Sequence, residues 1–273
     1  MSRQQRAEVA RHTDEVLSEG RYVTPSGATV DIGDAMAAAT GDTVMYTPEQ
    51  VDRRAGPPGR IRIEVTDEST LTAVRRLVRS GPDPVACLNF ASALRPGGSY
   101  RSGATGQEES LARSSALVAC LAAVPEYYRF HHDNPDPRYS DRVVYSPGVP
   151  VFRDDSGGLL DRPYPVTVLT AAAPNLTEIA DPEHLAGIPA ILHRRAATVL
   201  AVARRHGHRR LVLGAWGCGA FGNDPPTVAG AFARLLRDGP FSGAFDQAVF
   251  AILDDSPDGA RIAAFRAALS PLA

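Results

Sequence analysis

Short apolar runs rich in β-branched residues recur along the chain, most of them followed by a longer stretch with helical periodicity, and this alternation leaves few folds open. "RIRIEV" (60–65) leads into "DESTLTAVRRLVRSG", and "PVACLNF" (84–90) leads into a glycine turn and then "QEESLARSSALVACLAAV". "RRLVLGAW" precedes "DPPTVAGAFARLLRD", and "DQAVFAIL" precedes "DGARIAAFRAAL". "YPVTVLTAAAPN" reads as a further buried strand, and "DPEHLAGIPAILHRRAATVLAVARRHG" as one long amphipathic helix closed by Gly207. Strands that are apolar throughout are covered on both sides, so the pattern implies an α/β fold: a mixed, mostly parallel sheet with helices on both faces. "RVVYSPGVPVF" reads as a strand ended by its Pro and Gly, and the Pro-rich segments 133–139 and 146–165 as surface excursions inside a single domain. The charged opening "MSRQQRAEVARHTDEVLSEG" reads as a surface helix.

With 273 residues the chain can bury a substantial core. Its formal net charge of −2 gives no whole-molecule attraction to nucleic acid, and no run approaches the ~20 apolar residues of a membrane span. The expectation is a protein without membrane or sequence-specific nucleic-acid contacts. Three cysteines, Cys87, Cys120 and Cys218, with no CxxC pair, point to the reducing cytoplasm and supply no zinc site. His131 and His132 in "RFHHDNPDPRYSD" read as solvated loop histidines. The chain has no lysine: all 29 of its Lys and Arg residues are arginine. That excludes P-loop, kinase-type and Schiff-base lysine chemistry and suggests a GC-rich bacterial source.

Ligands of α/β sheets bind beyond the carboxyl ends of the strands, and both glycine clusters of this chain follow a strand. In "LGAWGCGAFGNDPP", Gly217, Gly219 and Gly222 fit G-x-G-x-x-G with Cys218, Ala220 and Phe221 between them. Backbone amides in such a turn can approach phosphate oxygens, and the following helix N-terminus favours an anion. A nicotinamide fingerprint needs an acidic residue at the end of the next strand, whereas Asp238, at about that offset, falls at the end of a predicted helix. Phe221 is suited either to a sugar or base or to the core, and both roles stay open. In the first cluster, Asn89 and Phe90 end a strand, Pro96-Gly97-Gly98 turn the chain, and Gln107-Glu108-Glu109 open a helix. Thr105 to Glu108 has the T-x-x-E form of a capping box. Adjacent helical residues point about 100° apart, so Glu108 and Glu109 cannot face each other across a bond as the carboxylates of most glycosidases do. The pattern predicts a single acid/base carboxylate whose neighbour holds a hydroxyl.

Gly97-Gly98-Ser99, seven residues, then Gln107-Glu108-Glu109, together with "CLNFASA", "TAAAPN" and "LGAWGCGAFGNDP" in that order, resemble the microbial-type poly(ADP-ribose) glycohydrolases. The resemblance runs from about residue 83 onward. It implies a macrodomain-like fold over 1–273 with an N-terminal helical extension (1–55), and hydrolysis of ribose–ribose bonds in poly(ADP-ribose) without metal or cofactor. On this resemblance Glu109 is the acid/base, Glu108 holds a ribose hydroxyl, and Asn89, Gly97, Gly98, Ser99 and Gln107 belong to the substrate site. The loop of Gly217, Cys218, Gly219, Ala220, Phe221 and Gly222 binds the diphosphate. The double duty of Glu109 calls for a carboxyl whose pKa is raised by burial. The implied partners are poly(ADP-ribose), ADP-ribose and ADP-ribosylated proteins, met by a monomer. Rival readings are removal of single ADP-ribose units from protein or nucleic acid, and binding without cleavage. Ser99 stands where the family triplet has its third glycine. The expectation is that this position needs a left-handed backbone, which strains serine; the competing reading gives Ser99 an ordinary negative φ with its hydroxyl donating to a phosphate or a loop carbonyl.

Overall fold

The computed structural model describes residues 1–237, 239–256 and 258–269; Asp238 lies outside them. In chain order the elements begin with α1 (Arg3–Glu19), β1 (Arg21–Val23), β2 (Thr29–Asp31), α2 (Gly33–Gly41) and β3 (Val44–Tyr46). Next come β4 (Arg62–Thr66), α3 (Thr70–Ser80), β5 (Val85–Phe90), α4 (Gln107–Ser114), α5 (Leu117–Ala122) and α6 (Pro125–Asp133). β6 (Val143–Arg153), β7 (Leu159–Ala171), α7 (Pro182–Ala186), α8 (Ile188–Arg205), β8 (Arg210–Leu213), α9 (Pro225–Leu236), β9 (Gln247–Ala251) and α10 (Ala260–Leu269) complete the chain.

The main sheet has seven strands in the order β3-β6-β7-β5-β8-β9-β4. From β7 to β4 every neighbouring pair is parallel, while β3–β6 and β6–β7 are antiparallel. Successive residues of a strand point to opposite faces, and the two sides of the core follow that rule. Ala86 and Leu88 of β5 pack with α8, α9 and α10, whereas Val85 and Cys87 pack with α3, α5 and α6. This is why the β5 run is apolar throughout, as the sequence pattern requires.

Several segments differ from the sequence expectation. The helix expected from Gln107 onward is two helices. Ser115 leaves helical geometry at φ −147°, ψ 174° and forms an isolated bridge with Val151. The Ser115 hydroxyl donates to Leu111 O at 2.7 Å and accepts from Leu117 N at 3.3 Å, the local competition that makes serine a poor interior helix residue. β6 does not stop at Pro147 and Gly148; it shifts register between Ser146 and Val149, and the bulge accommodates the missing proline N–H. The segment 146–165 is therefore mainly a long β6–β7 hairpin, not a surface excursion. The long helix after Asp181 is broken at Gly187, and Pro189 sits in the first turn of α8. His131 and His132 lie in α6, and His131 is buried, with Nδ1 at 2.8 Å from Tyr127 O and Nε2 at 2.9 Å from the Ser140 hydroxyl. Burial pushes its pKa down to about 4. The 1–55 segment is mixed, not simply helical: β1 and β2 form a small hairpin and β3 adds an edge strand to the main sheet. No helix among the described residues is long and apolar enough to cross a membrane.

Candidate active site

The carboxyl ends of the parallel strands open onto a cleft of about 670 Å³. The loops after β5 and β8 form its two sides, with Gln107, Glu108 and Glu109 on one and Gly217, Gly219, Ala220 and Phe221 on the other. The remaining predicted site residues stand behind this lining: Asn89 and Gly97 at Glu108, Gly98 and Ser99 at Glu109, and Cys218 and Gly222 within the β8 loop.

The capping box does not form. Gly106 is the N-cap of α4 in extended backbone, with no side-chain cap bond. Glu108 turns inward instead and is 3% exposed. Its Oε1 accepts from Asn89 Nδ2 at 3.2 Å and its Oε2 from Ser92 N at 2.7 Å. Burial, with a contribution from the charge of Glu109, pushes its pKa up to about 8 despite these donors. The raised carboxyl found here is thus Glu108. Asn89, fully buried, also donates from Nδ2 to Thr170 Oγ1 at 3.2 Å. Gln107 holds the end of β5, accepting from Phe90 N at 2.9 Å and donating to Leu88 O at 2.7 Å, so its side chain anchors the helix that carries the glutamates.

Glu109 is half-buried, and its Oε1 accepts from Ser99 N at 3.0 Å. Gly98, at φ +61°, lies so close that a Cβ there would be 2.4 Å from Glu109 Oε1 and 3.0 Å from Glu108 Oε2. Any side chain at Gly98 would displace the carboxylates. Ser99 itself adopts φ −108°, so the expected strain is absent and the ordinary backbone of the competing reading is found, but among the described residues its hydroxyl donates to no loop carbonyl. Its amide, not a left-handed turn, is what it contributes.

Across the cleft, Gly217 has φ +72° and its Cα faces Ala173 and Asn223 so closely that a Cβ would meet both at 2.5 Å. Asn223 fastens this loop, donating to Pro174 O at 2.8 Å and Gly217 O at 3.1 Å. Among the described residues the amides of Gly219, Ala220 and Phe221 donate to no protein acceptor. They are a ready set of donors for an anion. Gly219 opens to free space, with nothing within 4 Å of a Cβ built there. Cys218 is buried, and burial pushes its thiol up to about 12, which makes it a packing residue. Phe221 is half-buried against the apolar core and also lines the cleft.

Sequence reasoning missed several neighbours. Ser92 and Asn223 act through backbone and loop contacts that no spacing rule marks. Glu68, Asp155 and Asp255 line the cleft from loops following other strands, and only the position of "LDD" after the last strand hinted at Asp255. Tyr139, at φ +54°, holds its ring centroid 6.0 Å from that of Phe221.

With this geometry in place, residues 10–154 match the family described as microbial-type PARG, catalytic domain. The chain belongs to that family. Poly(ADP-ribose) glycohydrolase (PARG) from Thermomonospora curvata is 53% identical, with 97% of this chain and 99% of that chain covered at a TM-score of 0.93. The same T. curvata protein solved with the inhibitor ADP-HPD is 55% identical over 97% and 99% of the two chains, with a TM-score of 0.92. PARG from Deinococcus radiodurans, solved with ADP-ribose, is 42% identical, with 87% of this chain and 98% of that chain covered and a TM-score of 0.81. A search of curated protein sequences gives no match. Family membership accounts for the macrodomain-like sheet and for the ordered recurrence of QEE and the later glycine loop.

Proposed function

We infer that this chain is a glycosidase that hydrolyses the ribose–ribose O-glycosidic bonds of poly(ADP-ribose) and releases ADP-ribose. The observation that carries this reading is the placement of Glu109. In a chain 53% identical to a bacterial PARG, its carboxylate faces the cleft, held by the Ser99 amide, opposite a loop of free backbone donors.

Glu109 gives a proton to the leaving ribose oxygen as the glycosidic C–O bond breaks and its electron pair moves to that oxygen. Water then adds to the oxocarbenium-like carbon and returns a proton to Glu109. Glu108 and Glu109 crowd Gly98, and burial pushes the Glu108 carboxyl up to about 8. Glu108, fixed by Asn89 and Ser92, holds a ribose hydroxyl at the junction. The amides of the 217–222 loop take the diphosphate, Phe221 orients the distal ribose, and Gly97 and Gly98 let the catalytic loop approach the same diphosphate. No metal or organic cofactor enters this scheme. The chain works as one domain over 1–273, with 1–55 as its N-terminal extension, in the cytoplasm, as a monomer that also meets ADP-ribosylated proteins.

Incubation with poly(ADP-ribose) chains tests the reading: free ADP-ribose is the expected product. Glu109→Gln preserves the acceptor for the Ser99 amide but removes the titrating group. It should lower turnover by ~10²–10⁴ while ADP-ribose affinity stays within threefold. Turnover within threefold of wild type would overturn the assignment.

A further inference from the structure

The stretch Gly98 to Gly103 has two faces. On one, Gly98 packs on the carboxylates and the Ser99 amide holds Glu109. On the other, the residues that follow are bound by α1, 86 to 99 positions away in sequence. The Tyr100 hydroxyl donates to Asp14 Oδ1, and Arg101 Nε donates to Asp14 Oδ2 at 2.7 Å. Arg3 Nε donates to Ser102 O at 3.0 Å, and Arg6 Nε to Gly103 O at 2.7 Å. The contact is so close that a Cβ on Gly103 would lie 2.1 Å from Arg3 O. Tyr100 is 1% exposed, and its ring lies against Gly97.

A loop containing Gly97, Gly98, Gly103 and Gly106 loses more entropy on ordering than other sequences, and its own bonds close only a short 3-10 turn over Tyr100–Ser102. The contacts with α1 add order from outside, one residue from the amide that holds Glu109. We propose that Asp14 is a positioning residue for the reaction: through Tyr100 it fixes the loop that sets the Glu109 carboxylate. This rests on the assignment of Glu109 as acid/base. Asp14 touches no part of the cleft lining and acts only through the loop. Burial opposes its charge, but the hydrogen bonds from Arg101 and Tyr100 outweigh that and hold its carboxyl below the ordinary range. Asp14 is therefore an ionised acceptor at neutral pH.

The test uses Asp14→Ala, Tyr100→Phe and the double variant in the full chain. Tyr100→Phe keeps the ring packing and removes only the hydroxyl. An ångström of misplacement can cost ~10²-fold in rate, so each single variant should lose roughly 10- to 100-fold in kcat on poly(ADP-ribose). KM should stay within threefold, because the 217–222 loop is untouched. The double variant should lose no more than the worse single one, since both break one link. Amide hydrogen exchange over 97–106 should accelerate while exchange in the sheet does not. The proposal is overturned by kcat within twofold of wild type, by a KM that rises in step with the loss, or by losses that multiply in the double variant. Acceleration of exchange through the whole sheet would overturn it too, as the sign of general destabilisation. If Glu109→Gln abolishes turnover while Asp14→Ala does not, this proposal fails alone; if Glu109→Gln retains turnover, the acid/base assignment fails first.

Discussion

A carboxyl group buried beside a second carboxyl is costly to ionise, and Glu108 carries that cost in the folded protein. Its pKa rises from 4.5 to about 8 on folding, with burial as the main cause. The folded state therefore holds a proton that the unfolded chain releases. Stability from this group is fully present below about pH 4.5 and is lost as pH rises toward 8. Glu108→Gln removes the ionisation; its single amide oxygen can keep the bond from Ser92 N, while Asn89 Nδ2 retains Thr170 Oγ1. The variant should melt several degrees above wild type at pH 8, and the difference should vanish near pH 4. Thermal melts across that range check it; a variant less stable than wild type at pH 8 would refute the account. At this scale the sequence was informative about identity and less so about environment. Three adjacent letters, QEE, marked the acid pair, and the roughly 100° between adjacent helical residues sets Glu108, buried, apart from Glu109, half-buried. The capping box was a plausible local use for Glu108 that tertiary burial overrode. Ser99 misled in another way, because a missing glycine says nothing about which φ the chain adopts there.

The two glycine loops illustrate what an element can reveal about itself. The β8 loop was legible as a strand-to-helix turn because glycines, a preceding strand and a following Asp-Pro-Pro helix start all agree on it. Gly219 is the position at which the loop can be tested without disturbing its fold. A Cβ built there meets nothing within 4 Å, and the position lies next to the unpaired amides of Ala220 and Phe221. Gly219→Val should keep the wild-type melting temperature within about 2 °C and weaken ADP-ribose binding at least tenfold, since a change of ~1.4 kcal/mol is already a factor of ten. Calorimetric titration decides it, and unchanged affinity in the folded variant would place the diphosphate elsewhere. Other elements were misread where local signals compete with distant partners. Pro147-Gly148 signals an end to β6, but pairing with β7 resumes at Val149 beyond a bulge. The Ser114-Ser115 pair gave no visible stop, yet the bridge from Ser115 to Val151 breaks the helix there.

At the scale of the whole molecule, Arg195 joins the helical layer to the loops around the cleft. It is 1% exposed, and Nε donates to Asp141 Oδ1 at 3.0 Å, Nη1 to Ala172 O at 2.7 Å and Nη2 to Arg138 O at 2.7 Å. The last of these fixes the turn before Tyr139, the residue that meets Phe221. Replacing Arg195 with Met leaves buried acceptors unpaired. Breaking a buried ion pair in this way typically costs ~3–5 kcal/mol. Denaturant titration should show a loss near the lower end, because Arg194 still pairs with Asp141. A loss under 1 kcal/mol would mean that water replaces the guanidinium. The strand order was beyond sequence reasoning, because nothing in the alternating pattern says that the strand at residue 62 lies beside the one at residue 247.

That adjacency also has a consequence for how the protein is made. β4 is synthesised early but finds its sheet neighbour, β9, the only one among the described residues, after roughly 180 further residues have been added. At ~5–20 residues per second, the ribosome leaves β4 without that partner for roughly 10–40 s. During that interval its backbone N–H and C=O groups are open to any passing strand. The alternating charges of Arg62 and Glu64, paired at 3.0 Å in the finished fold, are of the kind that discourages such encounters. A nascent chain stalled before Gln247 would lack β9, the strand between β8 and β4, and with it Ala251, Ile252, Leu253 and Asp255 of the cleft lining. Expression conditions that slow translation over the last third of the message should therefore affect yield of soluble protein more than those that slow its beginning.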